Sequence, residues 1–231
     1  MFRATLVYLF IGLYVLVAAP VGMLWALLSR DSRLLFRLAR VCILSAGWIG
    51  GIRVEVKGKE NVGGGQPYLF LSNHRGNLDG PILVHATRRD CRAIIKKEIM
   101  RIPILGWVLR IVDFVPVDRK DPIHARASID RAAQLLKAGF SFFAFPEGTR
   151  SRDGSLGPFK KGVFVMAIQS GIPVLPVSIR NTAAIQPPGS YGIRPGRVEV
   201  IFHEPIRTNE LRLEDRDRLL QLTREAIARG L

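Results

Sequence analysis

The sequence predicts an α/β fold, a layered and mainly parallel β-sheet flanked by helices, with an N-terminal membrane-associated helical segment. From Ile52 onwards, short apolar stretches typical of buried strands alternate with stretches of helical periodicity. Glycine and proline separate these stretches. The first fifty residues are instead dominated by apolar side chains. We therefore divide the 231-residue chain into a membrane helix or hairpin, residues 1–50, and an α/β domain, residues 51–231.

No charged side chain occurs between Ala4 and Ser29, and a helix of about 26 residues would measure roughly 39 Å, enough to cross a bilayer. Pro20 predicts a kink or a break, so the segment could instead dip into one leaflet as a hairpin. A second uncharged run, residues 41–52, would be its partner. A cleaved signal peptide is the alternative, but the apolar stretch is too long and continues into arginines. These arginines recur at helical spacing and suit an anionic lipid surface: Arg30, Arg33, Arg37 and Arg40.

The domain begins with a half-buried strand at residues 52–56, where apolar and charged residues alternate. Further strands are predicted at 68–71, 93–95, 114–117, 140–145, 174–179 and 197–202. Proline at position 81 opens a helix, and other helices are predicted at 122–138, 162–170 and 213–229. Residues 181–196, rich in proline and glycine, read as a surface loop.

The formal net charge of +15 indicates polyanionic partners, which include nucleic acid, anionic lipid and phosphorylated substrates. No basic block interleaved with aromatic residues and no nucleic-acid-binding motif is present, so we exclude nucleic acid. The two cysteines, Cys42 and Cys91, lack metal-ligand spacing and are expected to be buried free thiols.

One polar block follows the apolar strand at 68–71 and holds both a histidine and an aspartate. His74 and Asp79 would lie about 140° apart on a helix, so they meet only if the chain between them turns, and Gly76 and Asn77 favour that turn. A carboxylate on one ring nitrogen would leave the other free as a general base. Alternatively, His74 merely caps the following helix.

Four ordered blocks resemble the glycerolipid acyltransferase family, and in particular its bacterial 1-acylglycerol-3-phosphate acyltransferases. Residues 73–79, Asn-His-Arg-Gly-Asn-Leu-Asp, resemble its NHxxxxD block. The other three are Phe-Val-Pro-Val-Asp-Arg at 114–119, Phe-Pro-Glu-Gly-Thr-Arg-Ser at 145–151 and Ile-Pro-Val-Leu-Pro-Val at 172–177. Pro116 departs from the usual second block.

The resemblance implies the glycerolipid acyltransferase fold and a reaction in which His74 and Asp79 move an acyl group from acyl-CoA or acyl-ACP to the sn-2 hydroxyl of lysophosphatidic acid. It implies a substrate phosphate and glycerol site at Arg119, Glu147, Gly148 and Arg150, with Glu147 orienting Arg150 or contacting glycerol oxygens. Contacts to the donor or to headgroups are expected at Lys96, Lys97, Lys160 and Lys161. No metal and no cofactor are expected, and Ser72 is expected to have only a structural role.

The implied partners are membrane lipids, lysophosphatidic acid and either coenzyme A or acyl carrier protein as the acyl carrier. The implied location is the bacterial inner membrane, with the catalytic domain on the cytoplasmic side. Other acceptors, either another lysolipid or glycerol 3-phosphate, remain open. Two further functions also remain open: a thioester hydrolase in which the same pair activates water, and a non-catalytic protein that binds anionic lipid.

Overall fold

A seven-stranded sheet lies at the centre of the protein in a computed structural model that describes residues 2–118, 120–151 and 155–231. The strands are β1 (Ile52–Lys57), β2 (Leu69–Ser72), β3 (Arg92–Lys96), β4 (Val115–Val117), β5 (Phe142–Ala144), β6 (Val174–Arg180) and β7 (Gly196–Phe202). The helices are α1 (Phe2–Ser29), α2 (Arg33–Gly50), α3 (Asp79–Thr87), α4 (Leu105–Ile111), α5 (Pro122–Lys137), α6 (Gly162–Ser170), α7 (Thr182–Ile185) and α8 (Arg216–Arg229).

The strand order is β1-β7-β6-β2-β5-β3-β4, and the predicted layered, mainly parallel sheet is confirmed. Every neighbouring pair is parallel except β6 and β7, which are antiparallel. The carboxyl ends of β2, β3, β4, β5 and β6 therefore lie along one edge of the sheet, and β7 ends at the other.

Helices cover both faces of the sheet. The alternating side chains of β2 reach opposite faces, as the twofold period of a strand requires. Phe70 packs in a core with α1 and α3, whereas Leu71 packs in a second core with α5, α6 and α8. Strands buried on both faces explain why the sequence shows β2 and β6 as continuous apolar runs.

Helices α1 and α2 form an antiparallel hairpin against the first of these faces. The Tyr14 hydroxyl donates to the Leu38 carbonyl at 3.1 Å, and Gly22 packs closely on Leu35. Of the predicted kink or break at Pro20, the break is wrong, because α1 continues through the proline. Proline has no backbone N–H, so α1 loses one hydrogen bond there. Packing of α1 on α2 on both sides of the proline stabilises the helix.

The hairpin rests on the domain near both of its ends. Ala4 and Val7 belong to the core that contains α3, and Ala26 at the other end packs with Val112 just beyond α4. An ion pair of 2.7 Å between Arg40 and Asp90 adds a polar contact. Within the described ranges, α1 alone is long and apolar enough to cross a membrane.

Three other helical segments differ from the sequence prediction. The four-residue α7 forms within the predicted loop at 181–196, and α4 forms in a stretch for which no element was predicted, since proline- and glycine-rich surroundings hide short helices. Helix α8 begins at Arg216, after a 3₁₀ turn at Leu213–Asp215.

Candidate active site

The candidate site lies outside the carboxyl ends of three adjacent parallel strands, where open α/β sheets bind their ligands. His74 follows β2 by two residues, and Glu147 follows β5 by three. Asp79 is the first residue of α3. Asn73 connects the end of β2 to β6, since its amide donates to the Ile179 carbonyl at 2.9 Å and accepts from the Ile179 N–H at 2.8 Å.

His74 and Asp79 are in direct contact, with 2.7 Å between His74 Nδ1 and Asp79 Oδ2. The same Oδ2 accepts the backbone N–H groups of Arg75 at 2.7 Å and Gly76 at 2.8 Å. The Asp79 side chain is fully buried, whereas 22% of the His74 side chain is exposed. Within the described ranges His74 Nε2 has no hydrogen-bond partner, so it is available to a substrate.

The turn between the two residues depends on Gly76. A Cβ there would lie 2.9 Å from the Thr182 side chain and 3.0 Å from its carbonyl carbon. No other residue fits without moving the chain at the start of α7. The tight turn brings His74 and Asp79, five positions apart, into contact. The sequence predicted that this contact requires a turn.

Two further residues fix the histidine. The Phe145 ring stacks on the His74 imidazole with centroids 4.0 Å apart and planes inclined by 13°. Glu147 accepts the backbone N–H of His74 through Oε1 at 2.8 Å and that of Gly157 through Oε2 at 2.9 Å. Sequence reasoning quoted Asn73 and Phe145 within the blocks but gave neither a role.

Glu147 forms two backbone contacts that the sequence did not predict. Both carboxylate oxygens accept backbone N–H groups, and the residue is only 5% exposed. Among the described residues its geometry is that of a positioning residue, which links the backbone at Gly157 to the backbone of the histidine.

Gly148 and Arg150 follow Glu147 and lie beside the histidine. The N–H of Ser151 donates to the His74 carbonyl at 2.8 Å, which places Arg150 next to the pair. The Arg150 side chain is exposed and forms no ion pair within the described part of the chain. Gly148 has a φ of +75°, a conformation that favours glycine. Arg119 lies outside the described residues.

Three of the four candidate lysines are paired with acidic side chains. Lys96 lies 3.5 Å from Glu98, Lys97 pairs with Asp118, and Lys161 pairs with Asp217 on α8. Contact with Lys97 and with the Lys120 backbone holds the pKa of Asp118 below its usual range. Lys160 alone has no acidic partner within the described ranges, and its side chain lies over Gly148.

An apolar cavity of about 630 Å³ lies against α3, where Leu78, Pro81 and Ile82, neighbours of Asp79 in the chain, form part of its wall. The hairpin supplies most of the remaining wall, and the other lining residues include His85, Leu105 and Val108. Burial and two nearby cations lower the pKa of His85, which favours its neutral form. Sequence reasoning missed this cavity because its walls come from segments far apart in the chain.

Groups of three or more His, Cys, Asp and Glu side chains placed to hold a metal ion do not occur within residues 2–118, 120–151 and 155–231. His124 instead contacts Asp121 at the start of α5. Both cysteines are free, with Cys91 buried and Cys42 half-buried.

A family model described as Acyltransferase matches residues 53–180. That range holds the dyad, Glu147 and Arg150. A 1-acyl-sn-glycerol-3-phosphate acyltransferase of Brassica napus, BAT2, chloroplastic, is 41% identical over 156 residues, which are 67% of this chain and 45% of that protein. The chain thus spans about half the length of this plant relative.

In two other matches, this chain covers a larger share of the matched protein. The 1-acyl-sn-glycerol-3-phosphate acyltransferase alpha of Mus musculus is 30% identical over 84% of this chain and 72% of that protein. The crystal structure of the 1-acyl-sn-glycerophosphate (LPA) acyltransferase PlsC from Thermotoga maritima superposes with a TM-score of 0.84 at 28% identity, over 99% of this chain and 95% of that one.

Proposed function

Because this chain belongs to the acyltransferase family, we propose that it transfers an acyl group from acyl-CoA or acyl-ACP to the sn-2 hydroxyl of 1-acyl-glycerol-3-phosphate, which yields phosphatidic acid for phospholipid synthesis. The relatives in Brassica napus and Mus musculus, and the Thermotoga maritima structure, carry names for this reaction. The observation that carries the proposal is the contact of His74 with a buried Asp79, which leaves Nε2 without a partner among the described residues.

In the proposed reaction the acceptor hydroxyl gives its proton to His74 Nε2 as its oxygen attacks the thioester carbonyl carbon. Asp79, held by two backbone N–H groups, keeps the proton on Nδ1 and stabilises the imidazolium. The C–S bond then breaks and the leaving thiolate takes the proton from Nε2. The acyl group arrives already activated, so this scheme requires no cofactor.

The acceptor phosphate requires a cation near the dyad. Arg150 suits this role because a guanidinium can donate two hydrogen bonds to phosphate and the side chain is exposed without an ion pair in the described part of the chain. Lys160 lies on the same side of Gly148. Lys96, Lys97 and Lys161 would have to leave their acidic partners before they could bind donor phosphates.

The apolar cavity against α3 supports a substrate with a long apolar chain. Its volume of about 630 Å³ lies within the range of ligand sites. Leu78 and Pro81, on either side of Asp79 in the chain, form part of its wall, so the cavity lies close to the dyad. We assign the cavity to an acyl chain.

We further propose that the protein lies on one leaflet of a membrane. Residues 4 and 26 of α1 both pack on the domain and are about 33 Å apart along the helix. If α1 crossed the bilayer, the domain's charged surface would enter hydrocarbon, which is costly. The arginines of α2 suit an anionic leaflet, and we place the domain on the cytoplasmic side of the bacterial inner membrane.

The activity test uses the purified full chain in lipid vesicles with labelled oleoyl-CoA or oleoyl-ACP. Lysophosphatidic acid, other lysolipids and glycerol 3-phosphate are offered as acceptors. We expect labelled phosphatidic acid, and far less of it with His74→Ala. Fatty acid released without an acceptor would support a hydrolase, and a protein that binds lipid but forms no product with any acceptor would support the non-catalytic alternative.

The membrane test changes exposed residues of α1 without touching its packed face. Leu13 and Val17 are 59% and 71% exposed. We expect Leu13→Glu with Val17→Glu to release the protein from anionic vesicles, while the matched pair Leu213→Glu with Leu222→Glu, on the α8 side, stays bound. Retention of the α1 variant on vesicles would contradict the proposed orientation.

A further inference from the structure

We propose that a second segment, residues 102–107, inserts into the same anionic leaflet beside the α1–α2 hairpin, an inference that rests on the membrane location proposed above. We name this segment the α4 loop. It precedes and begins α4, and three of its apolar side chains are exposed: Ile102 by 48%, Leu105 by 39% and Trp107 by 57%. Exposed apolar groups that lie together mark interaction surfaces.

The α4 loop is held in its shape by an unfavourable backbone. Ile104 has φ +62° and ψ −58°, and the N–H of Leu105 donates to the Pro103 carbonyl at 2.6 Å. This is a γ-turn of the rare strained type, with a β-branched residue at its centre. Gly106 packs against the Met100 carbonyl, where a Cβ would clash. A strained turn that keeps apolar side chains exposed is expected where those side chains contact a ligand or a membrane.

The α4 loop is continuous with the lipid-facing hairpin. Val108 of α4 packs with Ala26 and Leu35, so the loop lies at the α1–α2 turn. The chain has three tryptophans, Trp25, Trp48 and Trp107, and their exposed fractions are 52%, 85% and 57%. Tryptophan is favoured at the boundary between lipid and water. Two of the three lie on the hairpin and the third on the α4 loop.

The charge around the α4 loop fits an anionic leaflet. Arg101 and Arg110 flank it, both are exposed, and neither forms an ion pair with any described residue. Basic side chains beside an apolar wedge add electrostatic attraction to anionic headgroups. Such a leaflet would bury the apolar side chains and place anionic headgroups next to both arginines. An uncharged partner would leave the arginines unpaired.

The proposed contact has a consequence for substrate entry. Leu105, on the α4 loop, also forms part of the wall of the apolar cavity that lies against α3. Insertion of the loop would bring that wall into the acyl-chain layer. A lysolipid could then enter from the leaflet without its chain crossing water.

The test uses two single-tryptophan variants of the full chain. Trp25→Phe with Trp48→Phe leaves Trp107 as the reporter, and Trp25→Phe with Trp107→Phe leaves Trp48. Fluorescence is measured with vesicles of phosphatidylglycerol and phosphatidylcholine that carry brominated acyl chains, which quench only tryptophans within the lipid. We expect both reporters to be quenched.

Quenching of Trp48 without quenching of Trp107 would overturn this inference and leave the membrane location intact, whereas quenching of neither would overturn both. A second measurement compares Trp107→Glu with Leu222→Glu on the opposite face of the sheet. We expect the first variant alone to weaken vesicle binding by about tenfold or more, as burial of one large apolar side chain implies. Equal binding by the two variants would also contradict the proposal.

Discussion

The Nδ1 atom of His74 lies 2.7 Å from Oδ2 of Asp79, and that single oxygen also accepts the N–H groups of Arg75 and Gly76. Three donors converge on one carboxylate oxygen, so the aspartate orients the ring and closes the turn that positions it. Oδ1 of Asp79 is buried and has no hydrogen-bond partner in the part of the chain described. The negative charge is thus directed at the imidazole.

Asp79→Asn should lower kcat by about 10² to 10⁴ while the KM of the acceptor changes little, since the amide removes the charge that stabilises the imidazolium. Steady-state kinetics with saturating donor measure this. His74→Ala should have a similar effect, and the double variant should be no worse than either single one, because the two residues act as a unit. Additive losses would contradict the coupling.

Glu147→Gln should lower both kcat and stability. An amide can accept only through its oxygen, so either His74 or Gly157 would have its backbone N–H facing an NH₂ group. An unpaired buried donor costs about 1–3 kcal/mol in the free energy of unfolding. Urea titration measures the stability, with the exposed Glu225→Gln as control. If only the KM of the acceptor rises, Glu147 contacts substrate and the positioning role is wrong.

Arg150→Ala should raise the KM of phosphorylated acceptors by about 10- to 100-fold, the value of a hydrogen bond to a charged group. The KM of the donor should not change. Arg150→Lys should recover only part of the loss, because an ammonium cannot replace the forked guanidinium. Arg218→Ala, an exposed arginine on α8, is the control. An unchanged acceptor KM for Arg150→Ala would exclude it from the phosphate site.

Much of this arrangement could be predicted from local pattern. Short apolar stretches at residues 68–71 and 174–179 predicted β2 and β6, and the resemblance of residues 73–79 to a family block predicted that His74 and Asp79 act together. The antiparallel β7 was not predicted, because alternation along one strand carries no information about the direction of its neighbour. The backbone partners of Glu147 lie 73 and 10 residues away, so only the folded chain reveals them.

Stability should fall in mild acid partly because of His203. Its Nε2 lies 2.8 Å from Ser178 Oγ, which donates to the Ile227 carbonyl and therefore accepts from the ring. Burial, and then Arg229, lower the pKa of His203 below its ordinary value of 6.5. The unfolded chain binds the proton more tightly, so this contribution is present above pH 6.5 and decreases as the pH falls below it.

The free energy of unfolding should therefore fall between pH 7.5 and pH 5.5, and it should fall by more in the parent protein than in His203→Gln. The side-chain amide of the glutamine can still donate to Ser178, so this variant keeps the hydrogen bond. The pKa of His85 is also lowered, so the difference between the two proteins, and not the fall itself, isolates His203. Identical pH profiles would show that His203 contributes nothing.

Cys91 should resist alkylation in the folded protein. Burial raises the pKa of its thiol to about 12, and only 1% of the residue is exposed. At pH 8 the thiolate fraction would be about 10⁻⁴, and the thiolate is the reacting species. In Cys42→Ser, N-ethylmaleimide should label nothing in the native state and one thiol after unfolding, as mass spectrometry would show. Native labelling with unchanged circular dichroism would mean that the turn between α3 and β3 opens, because Cys91 cannot react from its packed position.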